Sequence, residues 1–216
     1  GDMVLTSHEM PGAEWFPGAE VSYAEHIFRG VDDDAVAIRH ASELWPLAAM
    51  TWGELRVETA RIRAGLVALG VERGDRVAAY LPNIPETIAA FLACASIGAV
   101  WSSAAPEFGA RSVVDRFAQI EPKVLLVVDG YRYGGKDFDR SAVVAEIAAE
   151  MPSLERVVRL GYLDRSGWEP GFLPAGAVPD LTFERLPFSH PLWILYSSGT
   201  TDLPKAIVHS QGGILL

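Results

Sequence analysis

The first regular pattern along the chain is a stripe of mostly apolar residues that begins after Thr51. Its members recur three or four positions apart, so they share one face of a helix: Leu55, Thr59, Ile62, Leu66 and Leu69. Thr51 is suited to cap the start of this helix while Glu54, three positions later, bonds back to it, and Gly70 is suited to end it. The pattern predicts one amphipathic helix between Thr51 and Gly70.

Short apolar runs then alternate with further helical stretches. The runs typical of buried strands lie at residues 77–81, 99–101, 123–128, 192–196 and 206–209. One predicted helix starts at Pro85 and ends at Gly98, and two others cover residues 111–119 and 137–150. Residues 161–191 are rich in proline and glycine, which predicts loops with room for a short ribbon. This alternation is typical of an α/β fold with a mostly parallel sheet and flanking helices.

The first 45 residues lack such a pattern. They contain two Pro-Gly pairs typical of turns, in PGAEWFPGAE, and a run of acidic residues in VDDDA. We therefore expect residues 1–45 to form a wrapping segment around an organised unit over residues 46–216.

Composition narrows the kinds of function. Of the 216 residues, 50% are hydrophobic, which allows a sizeable core, and no apolar run approaches the roughly 20 residues that span a bilayer. The net charge of −10 would repel a phosphate backbone, so no nucleic-acid partner is expected. The first residues do not resemble a secretion signal, which favours a soluble cytoplasmic protein without a membrane partner. Cys94 is predicted to be a buried core residue, and no metal-ligating residue is predicted.

The stretch LYSSGTTDLPK, residues 195–205, follows directly after a predicted strand. Ligands of open α/β sheets bind at the carboxyl ends of strands. A glycine that lets the backbone approach closely, hydroxyl donors and a lysine suit a polyphosphate. The spacing is not that of the usual P-loop, because no Gly-Lys-Ser/Thr follows Gly199 at the required distance. Composition alone therefore leaves a hydroxyl-rich hairpin turn open as the alternative.

In its order, Tyr-Ser-Ser-Gly-Thr-Thr-x-Leu-Pro-Lys at residues 196–205 resembles the signature loop of the adenylate-forming acyl-CoA synthetases. The resemblance covers most of the chain, through MPGAEWFPGAE, GDRVAAYLPNIPE, the run from IGAVWSS to GYRYGGKDF, and PLWILYSSGTT with PKAIVHSQGGILL. Within that family, AYLPNIPE and GYRYGGKDF are more similar to members that activate acetoacetate than to those that activate acetate.

The resemblance implies a reaction in which a carboxylate attacks the α-phosphate of ATP, after which the CoA thiol displaces AMP. The implied partners are small molecules: acetoacetate or a similar short acid, ATP with Mg2+, and CoA. The implied catalytic residues are Thr200 and Lys205. The implied ligands of the β and γ phosphates are Ser197, Ser198, Gly199, Thr200, Thr201 and Lys205.

A second basic segment, YRYGGK at residues 131–136, follows the most apolar strand run. By the same resemblance, Arg132 and Lys136 are assigned to the phosphate at the nucleotide end of CoA, with an ordinary solvated loop as the alternative. His209 is expected to be a structural histidine rather than a site residue, and Trp101 is expected to pack in the core.

Two departures from the family pattern bear on activity. The family's adenine pocket, magnesium carboxylate, ribose-binding aspartate and mobile C-terminal domain would all follow Leu216. We therefore expect the chain to be the first part of an adenylation domain and inactive alone, with a non-catalytic remnant as the alternative. The family also places glycine where this sequence has Asp202, and the added carboxylate is expected to repel a polyphosphate.

Overall fold

A computed structural model describes residues 3–6, 9, 12–197 and 203–216 of the chain. The helices in these ranges are α1 (Tyr23–Ile27), α2 (Trp52–Ala68), α3 (Pro85–Ile97), α4 (Ala110–Phe117), α5 (Ser141–Ala149) and α6 (Gln211–Leu215). The strands are β1 (Glu20–Val21), β2 (Val36–His40), β3 (Ala48–Thr51), β4 (Arg76–Tyr80), β5 (Val100–Ala104), β6 (Val124–Val128), β7 (Gly130–Tyr133), β8 (Lys136–Asp139), β9 (Arg156–Gly161), β10 (Gly167–Trp168), β11 (Leu186–Pro187), β12 (Pro191–Ser197) and β13 (Lys205–Ser210).

A seven-stranded sheet with the order β10-β9-β6-β4-β5-β12-β13 forms the centre of the molecule. The inner strands β9, β6, β4, β5 and β12 run parallel, and the two edge strands β10 and β13 are antiparallel to their neighbours. The prediction of an α/β fold with a mostly parallel sheet is confirmed.

The ends of α2 and α3 follow from local sequence. At the start of α2, the Thr51 hydroxyl accepts the backbone N–H of Glu54 at 3.2 Å, and the Glu54 carboxylate accepts the backbone N–H of Thr51 at 2.7 Å. This is the predicted capping box. Helix α3 begins with Pro85 and ends at Gly98, whose φ of 83° is the left-handed conformation that favours glycine. Both predictions are confirmed.

The core lies on both faces of the sheet. Alternate residues of the central strands point to opposite sides, so Leu126 packs with α2 and α3, whereas Leu125 packs with α4 and α5. Cys94 on α3 is fully buried in the first of these layers, which confirms its assignment as a core residue. In the described residues, no helix is long and apolar enough to cross a membrane.

Two predictions of secondary structure are wrong in part. The helix predicted over residues 137–150 starts only at Ser141, because residues 136–139 pair with β7 as strand β8 of a hairpin. The first 45 residues are not wholly irregular, since they contain β1, α1 and β2. Ser22 caps α1 by accepting the backbone N–H of Glu25. The division into a wrapping segment and an adenylation unit stays a prediction.

Candidate functional site

The candidate site residues lie at one edge of the sheet. Because the inner strands run parallel, their carboxyl ends meet there, at Tyr80 of β4, Ala104 of β5, Val128 of β6 and Ser197 of β12. This is the edge at which open α/β sheets bind ligands. The two segments singled out by sequence follow β12 and β6, so the fold brings both to this edge.

Ser197 and Lys205 are directly opposite each other in the antiparallel pair of β12 and β13. Ser197 is half-buried, and Lys205 is exposed. The other predicted phosphate ligands, together with Asp202, lie outside the described residues: Ser198, Gly199, Thr200 and Thr201. The fold thus places the first and last residues of the predicted phosphate loop side by side at the carboxyl edge.

The last turn of α4 and the residues just after it contact the chain on both sides of this loop. The Tyr196 hydroxyl donates to the backbone carbonyl of Arg116 at 2.9 Å, and the Gln119 side-chain amide donates to the backbone carbonyl of Pro204 at 2.7 Å. Burial raises the pKa of the Tyr196 phenol. These contacts fix the positions at which the chain enters and leaves the loop.

Tyr80 fixes the neighbouring loop between β5 and α4. Its side chain is fully buried at the end of the central strand, and its hydroxyl lies 2.6 Å from the backbone carbonyl oxygens of both Pro106 and Phe108, which share its one proton. Burial raises the pKa of Tyr80 to about 12. The Phe108 ring in turn packs under the guanidinium of Arg116, 5.2 Å away. Sequence reasoning missed this role of Tyr80.

Arg132 and Lys136 belong to a hairpin of β7 and β8 rather than to a loop. The Arg132 guanidinium donates from Nε to Oδ1 of Asp137 at 2.6 Å and from Nη2 to Oδ2 at 3.0 Å. This bidentate pair lowers the pKa of Asp137 and raises that of Arg132. Asp137 uses one edge of the guanidinium, and the Nη1 edge makes no hydrogen bond to another described residue. That edge is available for a phosphate.

Lys136 lies opposite Tyr133, whereas Arg132 lies opposite Asp137. Successive residues of a strand point to opposite faces, so the two cations do not share a face of the hairpin. The structure therefore brings Arg132 and Lys136 close in the chain but does not converge their charges. Their assignment to CoA stays a prediction.

The aromatic residues of the hairpin are largely engaged. The Tyr131 ring stacks on Phe138 with centroids 5.1 Å apart and an interplanar angle of 13°. The guanidinium of Arg140 lies 5.0 Å from the Tyr131 centroid, and its Nη2 donates to the Tyr131 hydroxyl at 2.8 Å. Tyr133 is 73% exposed, so it is the hairpin aromatic with a ring open to a ligand.

Two further predictions can be compared with the structure. The Trp101 side chain is 5% exposed and packs on Phe91 at a centroid distance of 6.1 Å, as expected of a core residue. The His209 ring makes an edge contact with Trp193 at 6.3 Å. That contact agrees with a packing role for His209.

A comparison with protein families adds the deciding observation. The model of the AMP-binding enzymes matches residues 31–216. The chain belongs to the AMP-binding enzyme family.

Individual members of the AMP-binding family match almost the whole chain. The acetoacetyl-CoA synthetase of Rattus norvegicus is 42% identical over 218 residues, which cover 94% of this chain and 32% of that protein. The acetoacetyl-coenzyme A synthetase of Rhizobium meliloti (strain 1021) is 43% identical over 223 residues, covering 99% and 34%. The solved structure of acetoacetyl-CoA synthetase from Streptomyces lividans is 52% identical with a TM-score of 0.91, covering 99% of this chain and 34% of that one. The chain thus spans about a third of the length of these relatives.

The AMP-binding family implies ATP and CoA as ligands, and the donors at the carboxyl edge suit their phosphates. The Mg2+ expected with ATP is a different case. Among residues 3–6, 9, 12–197 and 203–216, no group of three or more His, Cys, Asp or Glu side chains is placed to hold a metal ion. Because Mg2+ in nucleotide sites is usually bound by one or two carboxylates together with substrate phosphates, it is assigned no ligand among these residues.

Proposed function

We propose that this chain is the first part of the adenylation domain of an ATP-dependent acid–CoA ligase that acts on acetoacetate. The observation that carries the proposal is the 52% identity, at a TM-score of 0.91, with the acetoacetyl-CoA synthetase of Streptomyces lividans. The rat and Rhizobium meliloti relatives bear the same name.

The proposed reaction has two steps. A carboxylate oxygen of acetoacetate attacks the α-phosphorus of ATP, the bond to the bridging oxygen breaks, and pyrophosphate leaves. The CoA thiolate then attacks the acyl carbon of the mixed anhydride and AMP leaves with the electron pair. Adenylation converts a poor electrophile into one with a good leaving group, and positive groups offset charge at the transferring phosphate. Mg2+ enters the proposal only as the companion of ATP.

The phosphates of ATP are assigned to the loop between β12 and β13. Ser197 and Lys205 flank it, and the assignment extends to Ser198, Gly199, Thr200 and Thr201 by their match to the family motif. Thr200 and Lys205 are proposed to be catalytic because a hydroxyl and an ammonium group stabilise charge that develops on the phosphates. Support comes from the placement of Ser197 and Lys205 at the carboxyl edge of the sheet.

The phosphate at the nucleotide end of CoA is assigned to Arg132, with Lys136 as a second candidate. The free edge of the Arg132 guanidinium supports this assignment. A cytoplasmic location is also part of the proposal.

The proposal is tested on the full-length protein that contains this segment. Pyrophosphate exchange into ATP should require acetoacetate and should be weaker with acetate, and AMP release should require CoA. Arg132→Ala should raise the KM for CoA about ten- to a hundredfold while leaving the exchange reaction unchanged, because one charge-assisted phosphate contact is lost. Arg111→Ala is the control, since its side chain is 84% exposed and its ion pair among the described residues is with Asp115 on the same helix. The ligase function would be excluded if pyrophosphate exchange proceeded without any acid, or if no short acid supported the exchange.

A further inference from the structure

The β7–β8 hairpin is not part of the seven-stranded sheet, so contacts other than the strand pairing of that sheet must hold it in place. It forms its own two-stranded sheet, and all of β8 is exposed. An isolated two-stranded hairpin is at best marginally stable in water. At its base, Tyr131 stacks on Phe138. Its tip, next to Arg132, must be held by something else.

The tip is the two-residue turn Gly134–Gly135. Both residues have positive φ, 58° and 74°, as a tight hairpin turn of this length requires. Their N–H groups both donate to one carboxylate: Gly134 to Oε1 of Glu43 at 2.7 Å, and Gly135 to Oε2 of Glu43 at 2.7 Å. Each carboxylate oxygen thus accepts one N–H from the turn, and charge-assisted bonds of this kind are among the stronger ones.

Glu43 itself lies on a well-anchored turn. The Ser42 hydroxyl accepts the backbone N–H groups of Leu44 and Trp45 at 3.1 and 3.2 Å, and it also accepts the Tyr162 hydroxyl at 2.7 Å. The Leu44 side chain is only 5% exposed and packs in the core. Glu43 therefore connects the hairpin tip to a fixed part of the fold.

Arg132 lies two residues before the turn, so the tip controls its position. The Asp137 carboxylate and, more weakly, that of Glu43 raise the pKa of Arg132, which agrees with Glu43 lying near the guanidinium. Asp137 moves with the hairpin, because it belongs to β8. Glu43 does not, and it connects the hairpin tip to the rest of the molecule.

We propose that Glu43 is a positioning residue for CoA, which holds the hairpin tip so that the free edge of Arg132 meets the CoA phosphate. The inference rests on the proposed CoA role of Arg132. Glu43 is not assigned to contact CoA, since both of its oxygens are already bonded to the turn.

A competing physical effect has the opposite sign. A carboxylate near Arg132 also repels an incoming phosphate, and its removal would then tighten CoA binding. The Glu43 carboxylate is already engaged in two short hydrogen bonds to backbone N–H groups of the turn. When Glu43 is removed, we therefore expect the disordering of the hairpin tip to weaken CoA binding more than the lower repulsion of the phosphate strengthens it. The direction of the change in KM for CoA separates the two effects.

The test uses the full-length protein with Glu43→Ala and Glu43→Gln. Glu43→Ala should raise the KM for CoA about five- to tenfold, and Glu43→Gln, which keeps one acceptor oxygen, should raise it about two- to fourfold. Pyrophosphate exchange, which does not need CoA, should keep its KM for ATP and for acetoacetate in both variants. Hydrogen exchange at the turn amides should speed up in Glu43→Ala. Glu150→Ala is the matched control, because it removes an exposed carboxylate at the end of α5.

A double-mutant comparison tests whether Glu43 acts through Arg132. If it does, adding Glu43→Ala to Arg132→Ala should raise the KM for CoA no further than Arg132→Ala alone. A fall in KM for CoA on Glu43→Ala, or no change despite faster exchange at the turn, would overturn the positioning role while Arg132→Ala still weakens CoA use. If Arg132→Ala leaves CoA use unchanged, the CoA assignment fails and the role of Glu43 fails with it.

Discussion

Replacement of Asp129 by alanine should open the loop that follows β9. Asp129 follows β6 directly, and its side chain is only 8% exposed. Its Oδ1 accepts the backbone N–H groups of Tyr162 and Leu163 at 2.7 and 2.8 Å, and its Oδ2 accepts that of Asp164 at 2.9 Å. Nη2 of Arg159 lies 3.3 Å from the same Oδ2. One buried carboxylate thus satisfies three backbone donors of the loop after β9.

The magnitude follows from these contacts. A hydrogen bond to a charged group contributes about 1.5–3 kcal/mol, and the Asp129 carboxylate accepts three backbone N–H groups. Taking about 3 kcal/mol, local opening of residues 160–166 should become about a hundredfold more frequent in Asp129→Ala. Asp129→Asn keeps an acceptor for two of the N–H groups but places its amide against the third, so its effect should be intermediate, about tenfold.

Hydrogen exchange of the full-length protein, read on a peptide that covers residues 160–166, measures this opening. Asp164→Asn is the control, because Asp164 also pairs with Arg159 but its side chain is 48% exposed. Solvent screens such a pair, and the control should change exchange less than about threefold. If Asp129→Ala also stays within about threefold of the unchanged protein, the buried carboxylate does not hold this loop and the reasoning is refuted.

Three further predictions concern other positions. The pKa of Tyr80 is raised from 10.0 to about 12, so its contribution to stability is complete below pH 10 and is lost as the pH rises towards 12; Tyr80→Phe should cost about 1–3 kcal/mol at neutral pH and should flatten the pH dependence of unfolding above pH 10. Gly65→Ala would place a Cβ 2.5 Å from the carbonyl oxygen of Phe172 and should cost about 1–3 kcal/mol in denaturant unfolding, whereas Gly109→Ala, with nothing within 4 Å, should cost far less. Asp202→Gly should tighten ATP binding by calorimetry, and Asp202→Asn should recover much of the gain if charge is the cause; an Asn variant that binds like the unchanged protein would point to backbone conformation instead.

Features encoded by neighbouring residues could be predicted from sequence. The capping box of α2 joins residues that are three positions apart, and the end of α3 is marked by a single glycine. Both helix ends can therefore be predicted from a few neighbouring residues. The hairpin was missed although a signal was present. A Gly-Gly pair between two short runs is typical of a tight β-turn, but residues 137–150 were assigned wholly to a helix.

The contacts of Glu43 and Asp129 could not be predicted in this way. Glu43 bonds to Gly134 across 91 positions and Asp129 to Tyr162 across 33, and in each case the acceptor is a carboxylate and the donors are backbone N–H groups, which every residue except proline carries. No side-chain pattern marks such a pair. The fold must first bring the segments together.

Arg132 shows why a basic residue in a motif is not yet a binding site. The chain has 28 acidic against 18 basic residues, and Arg132 is paired with the carboxylate of Asp137. What remains for a phosphate is one edge of a planar group whose orientation Asp137 sets and whose location depends on the hairpin tip. A phosphate that binds there meets a pre-oriented donor pair beside two carboxylates, so affinity at this edge depends on the geometry that Glu43 maintains more than on net charge.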